Sequence, residues 1–226
     1  MTDLVESQTA SAPASLTRLR VAQGVVVLFH AVGLAGMAFS DNPGFYLRFT
    51  PATLLLTAGL LVALQPGPRA ALWRFALLTS ALGFLVEVVG VNTHLLFGYY
   101  TYGDTLGLKW GPPGGEVPWL IGLNWFVVTY LCGMLTHWLP LPALARLALG
   151  AALMVGLDVC MEPVAGRYEF WHWAADVIPA RNFRDWFLVA LFMQWLFQRA
   201  KFEKYNPLVP LVYLVQLLFF FLLGAV

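Results

Sequence analysis

Long apolar segments separated by short polar ones recur along the whole chain. Seven of them predict membrane-spanning helices, at about 19–39, 45–64, 71–89, 117–139, 142–161, 183–199 and 207–226. The second and sixth segments carry charge at their starts (Arg48; Arg184 and Asp185), so six spans plus an interfacial helix is the alternative. The pattern therefore predicts an all-α fold, a polytopic transmembrane helix bundle of about seven helices.

The connections between these segments are mostly short and contain proline or glycine, as at 41–44, 65–68 and 140–142. Only 90–116 and 162–182 are long, and long ordered loops in small domains are usually functional. Residues 1–16 are polar, with no basic start ahead of an apolar core, so we expect a flexible tail and no cleaved signal peptide. Residues 17–226 are predicted to form a single integral membrane domain.

Composition agrees with a membrane location, because 60% of the 226 residues are hydrophobic and 11% are charged, against about 25% charged in soluble domains. A net charge of +1 gives no indication of a nucleic-acid partner. Lysine and arginine are more frequent in the loops that would share the amino terminus's side of the membrane, with eight on that side and five on the other. This bias predicts a cytoplasmic amino terminus.

Three carboxylates fall within or at the ends of apolar segments, where a charge is costly and often functional. Asp158 and Glu162 lie four residues apart and share a helix face, and Pro163 predicts that the helix ends there. The third and fifth segments run in the same direction, so Glu87 is expected at the same membrane face. The alternative interpretation is structural: Asp158 and Glu162 bond to loop backbone or to Arg167 and Arg181, and Glu87 reaches water at a helix end.

Aromatic and polar side chains are concentrated in the two long loops and at the neighbouring helix starts. They could form an ordinary interfacial aromatic belt, or they could line a pocket whose ring faces stack on a polyene or stabilise a carbocation. The candidate substrate-binding residues are Thr93, Phe97, Tyr100, Tyr102, Asn124, Trp125, Trp171, Trp173, Asn182 and Trp186.

Several familiar chemistries lack their residues. The four histidines are scattered and form no box of clustered iron ligands, there is no DxxxD pair for magnesium diphosphate, and the last segment has no lysine for a Schiff base. Cys132 and Cys160 are far apart in apolar segments and are expected to be inert. We therefore expect no metal and no cofactor.

The combination of motifs between about 70 and 200 resembles the membrane carotenoid-biosynthesis family that includes hydratases of γ-carotene and bisanhydrobacterioruberin. The motifs are Glu87-x-x-Gly90-Val-x-Thr93, Phe97-Gly98-x-Tyr100-x-Tyr102, Asp158-x-x-x-Glu162-Pro-Val-Ala, Trp171-x-Trp173 and Asn182-Phe-x-x-Trp186. The chain departs from the family pattern at His94, Glu162 and Asp185, which bears on substrate identity more than on fold.

The resemblance implies a cofactor-independent hydro-lyase in a bacterial or archaeal cytoplasmic membrane. It would add water across the terminal C1–C2 (C1′–C2′) double bond of an acyclic carotenoid end group, with other enzymes of that pathway as candidate partners. Asp158 would be the acid, and Glu87 or Glu162 would position the water. The alternatives are an end-group cyclase and a carotenoid- or lipid-binding membrane protein without enzymatic activity.

Overall fold

Helices occupy all seven apolar segments, which confirms the all-α bundle. A computed structural model describes residues 15–226, so the predicted tail lies outside the described residues except at its last two positions. The helices are α1 (Leu16–Phe39), α2 (Pro43–Leu47), α3 (Thr50–Leu64), α4 (Arg69–Thr93), α5 (Trp119–His137), α6 (Ala143–Ala165), α7 (Ala180–Arg199) and α8 (Val209–Gly224). The short α2 and the longer α3 together form the second segment.

Five of these segments are long and apolar enough to cross a membrane: α1, Pro43–Leu64, α4, α5 and α6. The apolar α8 is shorter, at 16 residues. Helix α7 differs because its first two turns are polar and two of these polar side chains, Asn182 and Asp185, are buried. A polar face of this kind is tolerated in a membrane protein only where it points into the protein.

Two helices continue further than the sequence predicted. Helix α4 ends at Thr93 and not near residue 89, so Glu87 lies about 9 Å inside the helix and does not reach water. Helix α6 continues through Pro163 to Ala165, and the predicted stop at the proline is wrong. The chain stays ordered beyond the proline because Val164 and Ala165 are buried and their carbonyls accept from later amides, at 3.1 and 2.9 Å.

The two long loops contain short strands that were not predicted. Strand β1 (Tyr100–Tyr102) pairs antiparallel with β4 (Trp171–Trp173), and β2 (Lys109–Trp110) pairs with β3 (Val117–Pro118). The first pair joins residues about 70 positions apart, with Tyr100 opposite Trp173 and Tyr102 opposite Trp171. This ribbon ties the two long loops into one structure at a single end of the bundle.

At the other end of the bundle, the α7–α8 connection is held by Lys204. Its ammonium lies 3.4 Å from the ring centroid of Phe202 and 3.9 Å from that of Phe197, and it donates to the Phe197 carbonyl at 2.7 Å. Partial burial lowers the pKa of Lys204 to about 7.

Candidate active site

Three buried carboxylates surround one cavity between α4, α5, α6, α7 and the β1–β4 ribbon. Glu87, Asp158 and Glu162 are only 2%, 3% and 5% exposed. The cavity has a volume of about 30 Å³, enough for one or two water molecules. Within residues 15–226, no lysine, arginine or histidine forms an ion pair with any of the three. The carboxylates therefore depend on neutral hydrogen-bond donors.

Glu87 is held by three such donors. Tyr100 and Tyr102 donate their hydroxyls to Oε2 at 2.6 and 2.7 Å, and the Trp125 indole donates to Oε1 at 2.9 Å. Burial, followed by the adjacent Glu87 carboxylate, raises the pKa of Tyr100 and Tyr102 well above the ordinary value. Both hydroxyls therefore keep their protons and remain donors over the physiological range.

Asp158 and Glu162 are bridged by one amide. The Asn182 side chain donates from Nδ2 to Glu162 Oε1 at 2.7 Å and to Asp158 Oδ2 at 3.2 Å. Glu162 also accepts from the indoles of Trp173 and Trp171, at 2.6 and 3.2 Å. In the part of the chain that the structure describes, Asp158 accepts no other side-chain hydrogen bond. Asp158 is thus the least supported of the three carboxylates.

The β1–β4 ribbon explains why these donors converge. Side chains alternate between the two faces of a strand, so residues two apart lie on one face. Tyr100 and Tyr102 on β1 and Trp171 and Trp173 on β4 all direct their polar atoms to Glu87 or Glu162. Pairing of two distant loops therefore places four aromatic donors around one cavity.

A close approach of α4 and α5 positions Trp125. A Cβ at Gly83 would lie 2.4 Å from the Cβ and Cγ of Trp125, so only glycine fits there. The Trp125 ring stacks on that of Trp186, with centroids 4.1 Å apart and planes at 12°. The two indoles form an aromatic wall beside Glu87.

An apolar groove of about 420 Å³ adjoins the cavity. Helices α1, α3 and α8 form most of it, and exposed phenyl rings such as Phe29, Phe45 and Phe49 stand on its outer side. Five residues line both spaces: Ile121, Asn124, Leu157, Met161 and Trp171. We call these five the junction, because an apolar chain in the groove would reach the carboxylates there.

All but two of the candidate residues from the sequence line the cavity. Trp125 does not line the cavity itself, because it stacks behind Trp186, but its indole donates to Glu87. Thr93 lies elsewhere, because it is exposed and its hydroxyl donates to the Val89 carbonyl at 2.6 Å. Arg181 donates to the His94 carbonyl and Arg167 lies over the Tyr168 ring. The alternative that these arginines pair with Asp158 and Glu162 is therefore not seen.

Asp185 is a supporting residue that the sequence analysis missed. Its Oδ2 accepts from the Phe97 backbone N–H at 3.0 Å, and its Oδ1 pairs with Arg184 at 2.8 Å. Phe97 has a left-handed φ of +64°, a strained conformation that this bond helps to hold. Arg181, which lies one helical turn before Asp185 on α7, donates a hydrogen bond to the His94 carbonyl in the same loop. The sequence did contain a signal for this role, because Arg181 and Asp185 are two charged residues four positions apart at the start of α7.

Apolar side chains complete the lining, among them Val128 on α5 and Leu157 on α6. Nothing in the sequence distinguished them from ordinary packing residues. Within residues 15–226, no group of three or more histidine, cysteine or acidic side chains is arranged to hold a metal ion.

The fold and the site together define an integral membrane helix bundle with a buried carboxylate cavity that opens toward an apolar groove. The family model described as carotenoid biosynthesis protein matches residues 49–226, and the chain belongs to this family. The family resemblance seen in the sequence motifs is thereby confirmed at the level of the pathway. No match was found among curated proteins or among solved structures.

Proposed function

We propose that this protein is a carotenoid hydratase, which adds water to the terminal C1–C2 (C1′–C2′) double bond of an acyclic end group and gives a tertiary alcohol. One observation carries the proposal: three buried carboxylates, none of them ion-paired with a described residue, surround a water-sized cavity that adjoins an apolar groove. This arrangement suits acid-catalysed chemistry on a hydrocarbon, with water as the second substrate.

In this proposal the polyene lies in the groove and its end group stops at the junction. A cavity of about 30 Å³ is too small for the chain but large enough for the attacking water. Asn124 lines both spaces and can hydrogen-bond that water beside the double bond. The water and the alkene thus approach from opposite sides of the junction.

Asp158 is the proposed acid. A buried carboxylate without a cation is costly, and protonation removes that cost. Asp158 has one hydrogen-bond donor, whereas Glu87 and Glu162 each have three, so Asp158 gains least from ionisation. The carboxyl group gives its proton to C2, and the electron pair of the double bond forms the new C–H bond and leaves a tertiary cation at C1.

The remaining steps follow from the same geometry. Trp186 lines the cavity and presents its π electrons to the cation, Trp125 stacks on Trp186, and Glu87 lies beside them as a full or partial negative charge. Water bonds to C1 and loses a proton to Glu162 or Glu87. A second water molecule in the cavity can return this proton to Asp158, which Asn182 holds next to Glu162, and the sum is addition of one H2O.

We test the proposal by producing the chain in a host that makes lycopene or γ-carotene and analysing the extracted pigments by mass and retention. A new pigment heavier by one water is expected, and Asp158→Asn should abolish it at equal protein level. Glu169→Gln is the matched control, because Glu169 is exposed near the same helix end and its carboxylate pairs with His172, outside the cavity. Its product yield should be unchanged.

Other results would overturn the proposal. A cyclised pigment of unchanged mass would identify an end-group cyclase, in which an internal double bond captures the cation. Bound pigment with no product, unaffected by Asp158→Asn, would identify a carrier.

We also propose that the protein lies in a bacterial or archaeal cytoplasmic membrane with its amino terminus in the cytoplasm, and that other enzymes of the pathway are its partners. Terminal reporter fusions and co-purification test these two points.

A further inference from the structure

Two polar side chains with unpaired polar atoms stand out in the mostly apolar lining of the groove. Gln216 on α8 is 9% exposed and lines the groove, yet its Oε1 has no hydrogen-bond partner among residues 15–226. Its amide nitrogen also makes no hydrogen bond within this part of the chain. A buried carboxamide without partners is costly, and such groups in native structures usually serve a ligand or a water molecule.

His30 on α1 adds a free acceptor to the same groove. Its Nδ1 lies 2.8 Å from the Val26 carbonyl, and because a carbonyl only accepts, Nδ1 carries the proton. The other ring nitrogen of the neutral imidazole is then an acceptor, unused by the described residues. The His30 ring packs edge-on against Phe219, which lies one helical turn after Gln216 on α8. The groove thus offers the amide N–H donors of Gln216 and two acceptors, Gln216 Oε1 and the unprotonated nitrogen of His30, on the contacting helices α8 and α1.

The position of Gln216 relative to the carboxylates follows from two contacts between α6 and α8. The Tyr213 hydroxyl donates to the Leu153 carbonyl, and a Cβ at Gly224 would lie 3.6 Å from Val164. Both pairs are offset by the same number of residues, so the helices run parallel and Gln216 is level with Gly156, two residues before Asp158 on α6. Neighbouring helix axes are about 8–10 Å apart. Gln216 therefore lies within about 3 Å of the depth of Asp158, about one helix spacing away.

We propose that Gln216 and His30 form a hydroxyl-binding subsite for an isoprenoid whose oxygen lies about one helix spacing from the end that enters the junction. A hydroxyl both donates and accepts, so it matches this set of free groups, whereas a plain hydrocarbon leaves all of them unpaired. The groove takes the apolar chain and the subsite selects oxygenated chains. The identity of the reacting end rests on the proposed function; the binding of the hydroxyl does not.

Short prenyl alcohols are suitable probes, because they carry a branched alkene at one end and a hydroxyl at the other. The full chain in lipid nanodiscs is equilibrated with geraniol or farnesol and, separately, with the hydrocarbon of the same skeleton. Bound ligand is measured by mass spectrometry, after subtraction of the amount taken up by empty nanodiscs. The wild type should bind the better-fitting alcohol about tenfold more tightly than its hydrocarbon.

Gln216→Leu and His30→Phe should each remove most of this preference without weakening hydrocarbon binding, which also shows that the groove has kept its shape. Thr57→Val is the matched control, because Thr57 lines the groove but already donates its hydroxyl to the Thr53 carbonyl at 2.8 Å. Equal binding of alcohol and hydrocarbon by the wild type, or an unchanged preference in both variants, would overturn the subsite. Because no turnover is measured, loss of the proposed hydratase activity would leave this result standing.

Discussion

Replacing Tyr100 and Tyr102 with phenylalanine tests whether the donors around Glu87 hold the site together. Each substitution keeps the ring and removes one hydroxyl, at 2.6 or 2.7 Å from the same carboxylate oxygen. A hydrogen bond contributes about 1 kcal/mol when both partners are neutral and about 1.5–3 kcal/mol when one is charged. We therefore expect each variant to lose about 1–3 kcal/mol of unfolding free energy. The size of the loss also reports whether Glu87 is ionised.

The double variant should lose less than the sum of the two single losses, because both hydroxyls share Oε2 and one can partly replace the other. Tyr99→Phe is the matched control. Tyr99 is 61% exposed, stacks on His94, and its hydroxyl makes no hydrogen bond with the described residues. Its effect should stay within about 0.5 kcal/mol.

Unfolding in mixed micelles titrated with denaturing detergent provides the free energies, and the same variants are scored for pigment in the carotenoid-producing host. In the Tyr100 and Tyr102 variants, the amount of product should fall together with the unfolding free energy. Tyr99→Phe should change neither quantity appreciably. If these variants are no less stable than Tyr99→Phe, then the two hydroxyls do not stabilise the folded protein through Glu87, and the reasoning from these hydrogen bonds is wrong.

Three further predictions concern pH and packing. The raised pKa values of Tyr100 and Tyr102 mean that the folded state keeps their protons after the unfolded state begins to lose them, so stability should fall as pH rises above about 10, and less in the double phenylalanine variant. Lys204 should have the opposite effect on the pH dependence of stability. Its pKa is about 7 in the folded state against 10.5 in the unfolded state, so between these pH values the unfolded state binds more protons. Stability should therefore rise with pH in this range, and Lys204→Met should remove the rise. Gly83→Ala should displace Trp125 and cost about 1–3 kcal/mol, observed as a lower midpoint in detergent unfolding and a changed tryptophan spectrum.

The helices could be predicted from the sequence because a span of hydrocarbon needs a long apolar run, which is a local property. Their ends were harder to predict. Pro163 normally indicates a helix end, but burial of the two following residues keeps them in α6. The polar start of α7 suggested either a span or an interfacial helix. Only the tertiary structure shows that Asn182 and Asp185 point into the protein.

The carboxylates and most of the aromatic residues of the site could also be identified from the sequence, because charges and tryptophans are conspicuous in an apolar chain. The pairing of β1 with β4 could not, since strand partners 70 residues apart leave no local mark. An aromatic residue at every second position, as at Tyr100 and Tyr102, was nevertheless a signal of strand periodicity. Thr93 was assigned to the site from its motif, and the exposed helix end on which it lies explains its placement outside the cavity.

The sizes of the two adjoining spaces, about 30 and 420 Å³, determine how a bound chain is oriented. Under the proposed function, a long isoprenoid would lie in the larger space, and only its tip would meet the carboxylates, at Asn124 and Leu157. The carbons that meet the carboxylates would thus be set by their distance from the tip of the chain, over the few carbons that the protein encloses. The remainder of such a chain would extend among the lipids, so molecules of quite different total length would present the same atoms to the same side chains.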